Sequence, residues 1–279
     1  MSDSADSPRI QAILASGIKI PPLPEVLMKT QQLMRDPDAT TADVADLIRR
    51  DGALSGAVFR VVGSPVFGLR AKVETVDRAV TLLGIPPTLA ILRGIALRTA
   101  LGGETQSAAL DALWHRSGQI AQYAMATTKL LRPRGISPDQ AYTLGMFHDC
   151  GLALQIKRVP EYGQALAQGR WSDILDLDHA HNGDHALLGE LVARNWQLPD
   201  SLSQAIRQHH NLRDDGLGEG TSRLCALLNF ACHVLAQNLR EDERDWEGAW
   251  KEACAARLDL SEADLLGLEV DVRMEVSSA

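Results

Sequence analysis

Apolar residues along this 279-residue chain recur every three or four positions, the spacing of amphipathic helices. Residues 1–16 read as a loose arm, with a short helix from Ser7. Pro21, Pro22 and Pro24 then stiffen the approach to a helix carrying Val26, Leu27 and Leu33. Asp36-Pro37-Asp38 ends it, because a residue before proline avoids the helical region. Thr40 and Asp43 suit a capping box for the next helix, through Val44, Ala45 and Ile48. Further helices are predicted at Leu54–Val62, Val76–Leu83 and Pro87–Leu101, the middle one stopped by Gly84. Residues 17–103 thus form a bundle of five short helices, closed by Gly102-Gly103-Glu104.

Beyond that junction the helices lengthen. One is predicted from Ser107 to Leu131. Ser137-Pro138-Asp139-Gln140 is a strong start for another, running through His148 to about Val159. Glu161–Ala167 follows, then a polar connector. Asn182 or Asp184 opens a helix carrying Leu187, Leu188, Leu191 and Val192, and Pro199-Asp200-Ser201 opens one through Ile206 to His210. The glycine-rich Asp214–Gly220 loop leads into Leu224–Leu235 and an acidic tail, with short helices at Trp246–Arg257 and Ser261–Leu266. Residues 104–215 make a second bundle and 216–279 the C-terminal helices. No segment alternates as a strand does, Val270-Asp271-Val272 being too short. The expected fold class is all-α.

Composition agrees: 45% of residues are apolar, enough for a packed core, and only 4% are aromatic. Net charge is 28 − 36 = −8, with Lys and Arg scattered, which disfavours nucleic acid as a partner. The apolar stretch Leu82–Leu101 is interrupted by Pro86, Pro87, Arg93 and Arg98, so no membrane partner is expected. MSDSADSPRI lacks the apolar run of a signal peptide. Cys150, Cys225, Cys232 and Cys254 form no CxxC pair, consistent with free thiols and a cytoplasmic location.

Seven of the eight histidines fall between His115 and His210 apart from His233, which lies outside that stretch. Ala141, Leu144, His148 and Leu152 share one helical face. His185 shares one with Leu188 and Val192, and His209 with Leu202, Ala205 and Ile206. A single inward histidine is ordinarily a hydrogen-bonded core residue. Three on separate helices, with the Asp149 carboxylate beside one, have the composition of a metal site in a helical bundle. His115 lies off its helix's apolar stripe, and His179 and His181 sit in the polar connector as surface residues. His233 reads as structural, as do Trp246 and Trp250.

Several segments, in order, resemble the HDOD domain. Pro22-Leu23-Pro24-Glu25-Val26, Asp36-Pro37-Asp38 and Asp51-Gly52-Ala53-Leu54 are similar to its start. Gly63-Ser64 with Phe67-Gly68 resembles its NSA-(F/Y)-YG segment, and Ala79–Gly84 its A-x-x-LG helix. Trp114-His115-Arg116-Ser117 resembles its W-x-HS helix, and Leu144–Gly151 its GLLHDIG segment. His185–Gly189, Trp196-Gln197-Leu198-Pro199 and His209-His210 resemble its DH-x-x-xG, W-x-LP and HH elements. The resemblance spans about residues 17–215. It implies a five-helix N-terminal bundle packed on an HD-like helical bundle, related to HD-domain phosphohydrolases. It also implies divalent-metal candidates at His115, His148, Asp149, His185, His209 and His210, with Fe, Mn, Zn or Ni as the ion. Two departures point to a degenerate site. Asn229 stands where HD hydrolases have a later Asp, and Leu152 where their HDxGK pattern has its lysine. Asn is a weaker ligand for a hard cation, and a missing lysine removes charge that could stabilise a phosphoryl transition state.

The expected function is therefore a bacterial signal-transduction module without catalytic residues. It would act by binding a protein partner or small ligand. One alternative is a metal-dependent phosphohydrolase acting on a nucleotide or cyclic dinucleotide. A second is a non-catalytic metal clamp or sensor.

Overall fold

The computed structural model describes residues 11, 17–67, 69, 73–102, 107–211, 216–241, 246 and 250–277. The expected arm (apart from residue 11), the 103–106 junction and positions 212–215 of the glycine-rich loop lie outside the described residues. Among the described residues the chain is helical, with no strand.

The N-terminal bundle holds α1 (Glu25–Arg35), α2 (Thr41–Arg49), α3 (Gly52–Val62), α4 (Val76–Leu83) and α5 (Ile85–Gly102), with a 3₁₀ turn at Pro65–Phe67. Three of its five starts are set by side chains that satisfy otherwise unpaired helix N–H groups. Thr40 and Asp43 form the reciprocal capping box, Asp51 accepts from Leu54 N at 3.0 Å, and Thr75 accepts from Arg78 N at 3.1 Å. Gly84, at φ 79°, lets α4 pass directly into α5 through a 119° bend. Among the described residues no single helix is long and apolar enough to cross a membrane. Val44, Ile48, Val58, Val80 and Leu92 fill the space between these helices.

The second bundle is built around the long helix α6 (Ala108–Leu131). Then come α7 (Pro138–Phe147), α8 (Leu152–Gln155), α9 (Pro160–Ala167), a 3₁₀ turn at Trp171–Asp173 and α10 (Ile174–His181). They are followed by α11 (His185–Asn195), α12 (Asp200–Gln208), α13 (Glu219–Leu239), α14 (Lys251–Arg257) and α15 (Glu262–Ser277). α6 packs against α7, α9, α13 and α15, while α11 packs on α12 and α12 on α13. The two bundles meet where α5 lies on α7. They are also tied by Asn195 Nδ2 and Trp196 Nε1, which both donate to the Pro21 carbonyl, at 2.8 and 3.0 Å.

Three elements differ from the pattern-based expectation. The helix expected from Pro138 to Val159 breaks at residues 148–151. There Cys150, Leu152, Ala153 and Leu154 each donate to the carbonyl three residues back, tightening the chain into a 3₁₀-like turn. The break places Gly151 against α11. A Cβ there would overlap the His185 carbonyl oxygen and lie 2.9 Å from Gly189 N. The polar connector contains a helix, α10, with Ile174 and Asp178 buried. The last helix continues past Leu266 to Ser277 and absorbs Val270-Asp271-Val272. Leu265, Glu269 and Val272 form its inward face at helical spacing.

Candidate metal centre

The turn at 148–151 and the facing ends of α11 and α12 bring five side chains together. His148 is the C-cap of α7, and its Nδ1 lies 2.8 Å from the Gly145 carbonyl. His209 is the C-cap of α12, with Nδ1 2.7 Å from the Ile206 carbonyl. His185 opens α11 behind the Asp184 cap, and its Nδ1 lies 2.6 Å from Asp178 Oδ2. Each Nδ1 meets an acceptor, so each carries the ring proton there and turns Nε2 inward. Asp149 stands among these nitrogens. Its Oδ2 is 3.1 Å from His148 Nε2, and its Oδ1 is 3.4 Å from both His185 Nε2 and His209 Nε2. The partly exposed His210 completes the group, with its Nε2 3.0 Å from His185 Nε2. One ligand atom each from Asp149, His185, His209 and His210 lies within 4.8 Å of the others.

Burial would raise the Asp149 carboxyl, but the imidazoles of His148, His185 and His209 outweigh it and hold it well below the usual carboxylate range. Burial would lower His185, yet Asp149 and Asp178 on its two sides push it up to about 10. Burial and the neighbouring imidazoles lower His209 and lower His210 strongly.

Asp178 carries no signal in the sequence pattern. It accepts from His185 through both backbone and ring, and Tyr162 Oη donates to its other oxygen at 2.6 Å. Burial and Asp178 together push the Tyr162 phenol up. Gly183 leaves room for this contact, since a Cβ there would crowd the Tyr162 hydroxyl and lie 2.9 Å from both Asp178 Oδ1 and Gln155 Nε2.

The donor set fits a divalent transition metal. Imidazole nitrogens and one carboxylate suit Fe, Mn, Zn or Ni, and each buried histidine has the outer hydrogen bond that orients a ligand. Among the described residues the buried His209 Nε2 makes no hydrogen bond, with Asp149 Oδ1 standing 3.4 Å from it. An inward lone pair left in this way is costly unless something is bound to it.

A family model described as the HDOD domain matches residues 20–212. The chain belongs to the HDOD domain family. An uncharacterized protein of Treponema pallidum (strain Nichols) is 26% identical over 210 residues, 73% of this chain. The chain spans 40% of that relative's length. Solved structures share the fold. An HDOD domain protein of unknown function from Geobacter sulfurreducens is 18% identical with a TM-score of 0.69, covering 94% of this chain and 95% of its own. A proposed metal-dependent phosphohydrolase from Shewanella amazonensis SB2B is 16% identical with a TM-score of 0.67, covering 99% of both chains. A proposed signal transduction protein from Marinobacter aquaeolei VT8 is 20% identical with a TM-score of 0.73, covering 99% of this chain and 64% of its own.

Set against the HDOD motifs, one candidate ligand stands apart. His115 is exposed on α6 and is not among the clustered groups. Counted from Trp114, the W-x-HS pattern puts its histidine at position 116, where this chain has Arg. His115 is one residue early, about 100° round the helix. Arg116 itself is committed elsewhere, paired with Glu241 at 2.5 Å and lying over the Trp171 ring. Asn229 does reach the centre's edge, where its Nδ2 donates to the His209 and Cys225 carbonyls at 2.8 Å each. It thus fixes the backbone that carries His209. Leu152 is fully buried. His179 and His181 are exposed, and His233 is buried in a stack with Trp246.

Proposed function

We propose that this HDOD protein is a non-catalytic bacterial regulatory module that works through a protein partner, with its histidine cluster serving as a divalent-metal clamp. The observation that carries the clamp is the convergence of ring nitrogens from the ends of three helices on Asp149. His148, Asp149, His185, His209 and His210 would hold the ion, and Asp178 would orient His185. A bound ion would supply Lewis acidity and fix the ends of α7, α11 and α12 relative to one another. The phosphoryl-transfer shell is thin. An apolar side chain occupies the lysine position at Leu152, and the Asn229 amide is spent on main-chain carbonyls. The resemblance to a proposed signal transduction protein supports a regulatory role, and that to a proposed metal-dependent phosphohydrolase supports the metal.

The test is elemental analysis of protein purified without a metal-affinity tag, beside the His148→Ala/Asp149→Ala variant, followed by a phosphodiester hydrolysis screen of metal-loaded protein. The expected result is transition metal in the parent, loss of it in the variant, and no hydrolysis. Turnover that disappears in the double variant would establish a phosphohydrolase instead. Absence of metal after reconstitution would refute the clamp.

A further inference from the structure

The last helix has two faces. Leu265, Glu269 and Val272 are buried against the second bundle. On the opposite side Leu266, Val270 and Met274, one turn apart, are 53%, 52% and 55% exposed. Gly267 lies beside them and leaves open space. The other exposed large apolar residues of the described chain, Met28, Leu82, Leu130 and Leu239, sit one to a helix on α1, α4, α6 and α13, which is ordinary for a protein surface, whereas a contiguous stripe marks an interaction site.

The charge beside the stripe narrows what can cover it. At 100° per residue, Asp264, Asp271 and Glu275 fall together on one flank, about 100–140° from Val270. All three are exposed. The only cation of α15, Arg273, is turned to Glu269, which is itself buried beside His233. A second copy is therefore a poor occupant. Antiparallel pairing sets one acidic ridge against the other, and parallel pairing offers it only a committed arginine. A helix with an apolar stripe bordered by Lys or Arg satisfies both features at once.

We infer that the outer face of α15 docks a basic amphipathic helix of a partner protein. This names the partner chemistry for the regulatory reading above and rests on it. The site lies on a different helix from the histidine cluster, so metal content and hydrolysis report on that reading independently.

Two synthetic helical peptides about five turns long test it. Both carry a leucine stripe, bordered by Lys in one and by Glu in the other. Fluorescence anisotropy with the full chain should show binding of the Lys peptide and not of the Glu peptide, weakening with salt. The surface variant Leu266→Ser/Val270→Ser/Met274→Ser should bind it at least about tenfold more weakly. Asp271→Lys/Glu275→Lys should reverse the preference between the peptides. Equal binding of both peptides, or of neither, overturns the inference. So does a dimer seen by sedimentation in the parent and lost in the triple-serine variant, which would make a second copy the occupant.

Discussion

The Nε2 atoms of His185 and His210 face each other at 3.0 Å. Two lone pairs at that distance repel, so without a metal one ring must carry a proton between them. His185 is the ring that carries it, because Asp149 and Asp178 hold it protonated up to about pH 10 while His210 is strongly lowered. That proton occupies the place of a cation. Metal uptake at neutral pH should therefore release about one proton, with affinity rising roughly tenfold per pH unit below 10. Calorimetry in two buffers of different ionisation enthalpy measures this directly, and uptake without proton release would contradict it. The sign for stability follows. His185 is raised from 6.5, so in metal-free protein its contribution is complete below that value and is lost as pH rises through about 10.

Asp178 lies behind His185, on the far side of its ring from Asp149, and sets the orientation of that ring. Asp178→Asn should lower metal affinity about 10–100-fold, the usual cost of losing an outer-shell partner. It should also bring the His185 pKa down, because one of the two carboxylates that raise it is gone. NMR titration of the ring reads the second effect. A Tyr162→Phe variant, which leaves the Asp178–His185 contact in place, should keep most of the affinity.

The inward faces are legible in the sequence because they obey helical spacing: Leu144 with His148, and Leu202 and Ile206 with His209. Asp178 is not legible. It meets His185 only because the chain reverses at Asn182, at φ 49°, and Gly183 adds no side chain to the gap. The break at 148–151 is hidden because Leu152 continues the stripe of Leu144 and His148 as though the helix were unbroken. The end of α15 is hidden for a different reason. Val270-Asp271-Val272 alternates in polarity, but its two valines lie on opposite sides of a helix, one exposed and one buried. His115 shows the limit of a motif match without geometry, since one residue of register separates an inward side chain from an exposed one.

Two glycines should respond oppositely to one methyl group. At Gly151 a Cβ runs into the His185 carbonyl and Gly189 N, both backbone atoms that cannot turn away. Gly151→Ala should cost about 3 kcal/mol, the upper end for overpacking, and weaken metal binding by pushing α11 outward. Among the described residues nothing outside its own helix backbone lies within 4 Å of a Cβ added at Gly118, inside α6. Gly118→Ala should stabilise by about 0.4–1 kcal/mol through helix propensity and a less flexible unfolded chain. Urea denaturation of both variants gives the comparison, and equal effects would remove the close-packing argument for Gly151.

Leu152 permits a direct test of the missing catalytic charge. Supplying the lysine of the HD-hydrolase HDxGK pattern with Leu152→Lys is the simplest attempt to create hydrolysis. The position is fully buried within the apolar core, so an ammonium there must lose its hydration or drag the turn open. The expected result is a loss of several kcal/mol of stability, the range for an uncompensated buried charge, with no metal-dependent phosphodiester turnover. Denaturation and a hydrolysis assay on the same preparation decide the matter. A stable Leu152→Lys protein that hydrolyses a phosphodiester would mean that the centre needs only this charge to act as an enzyme. A destabilised, inactive one would mean that the core has repacked around leucine, so that recovering catalysis would require remodelling α8 and its neighbours as well.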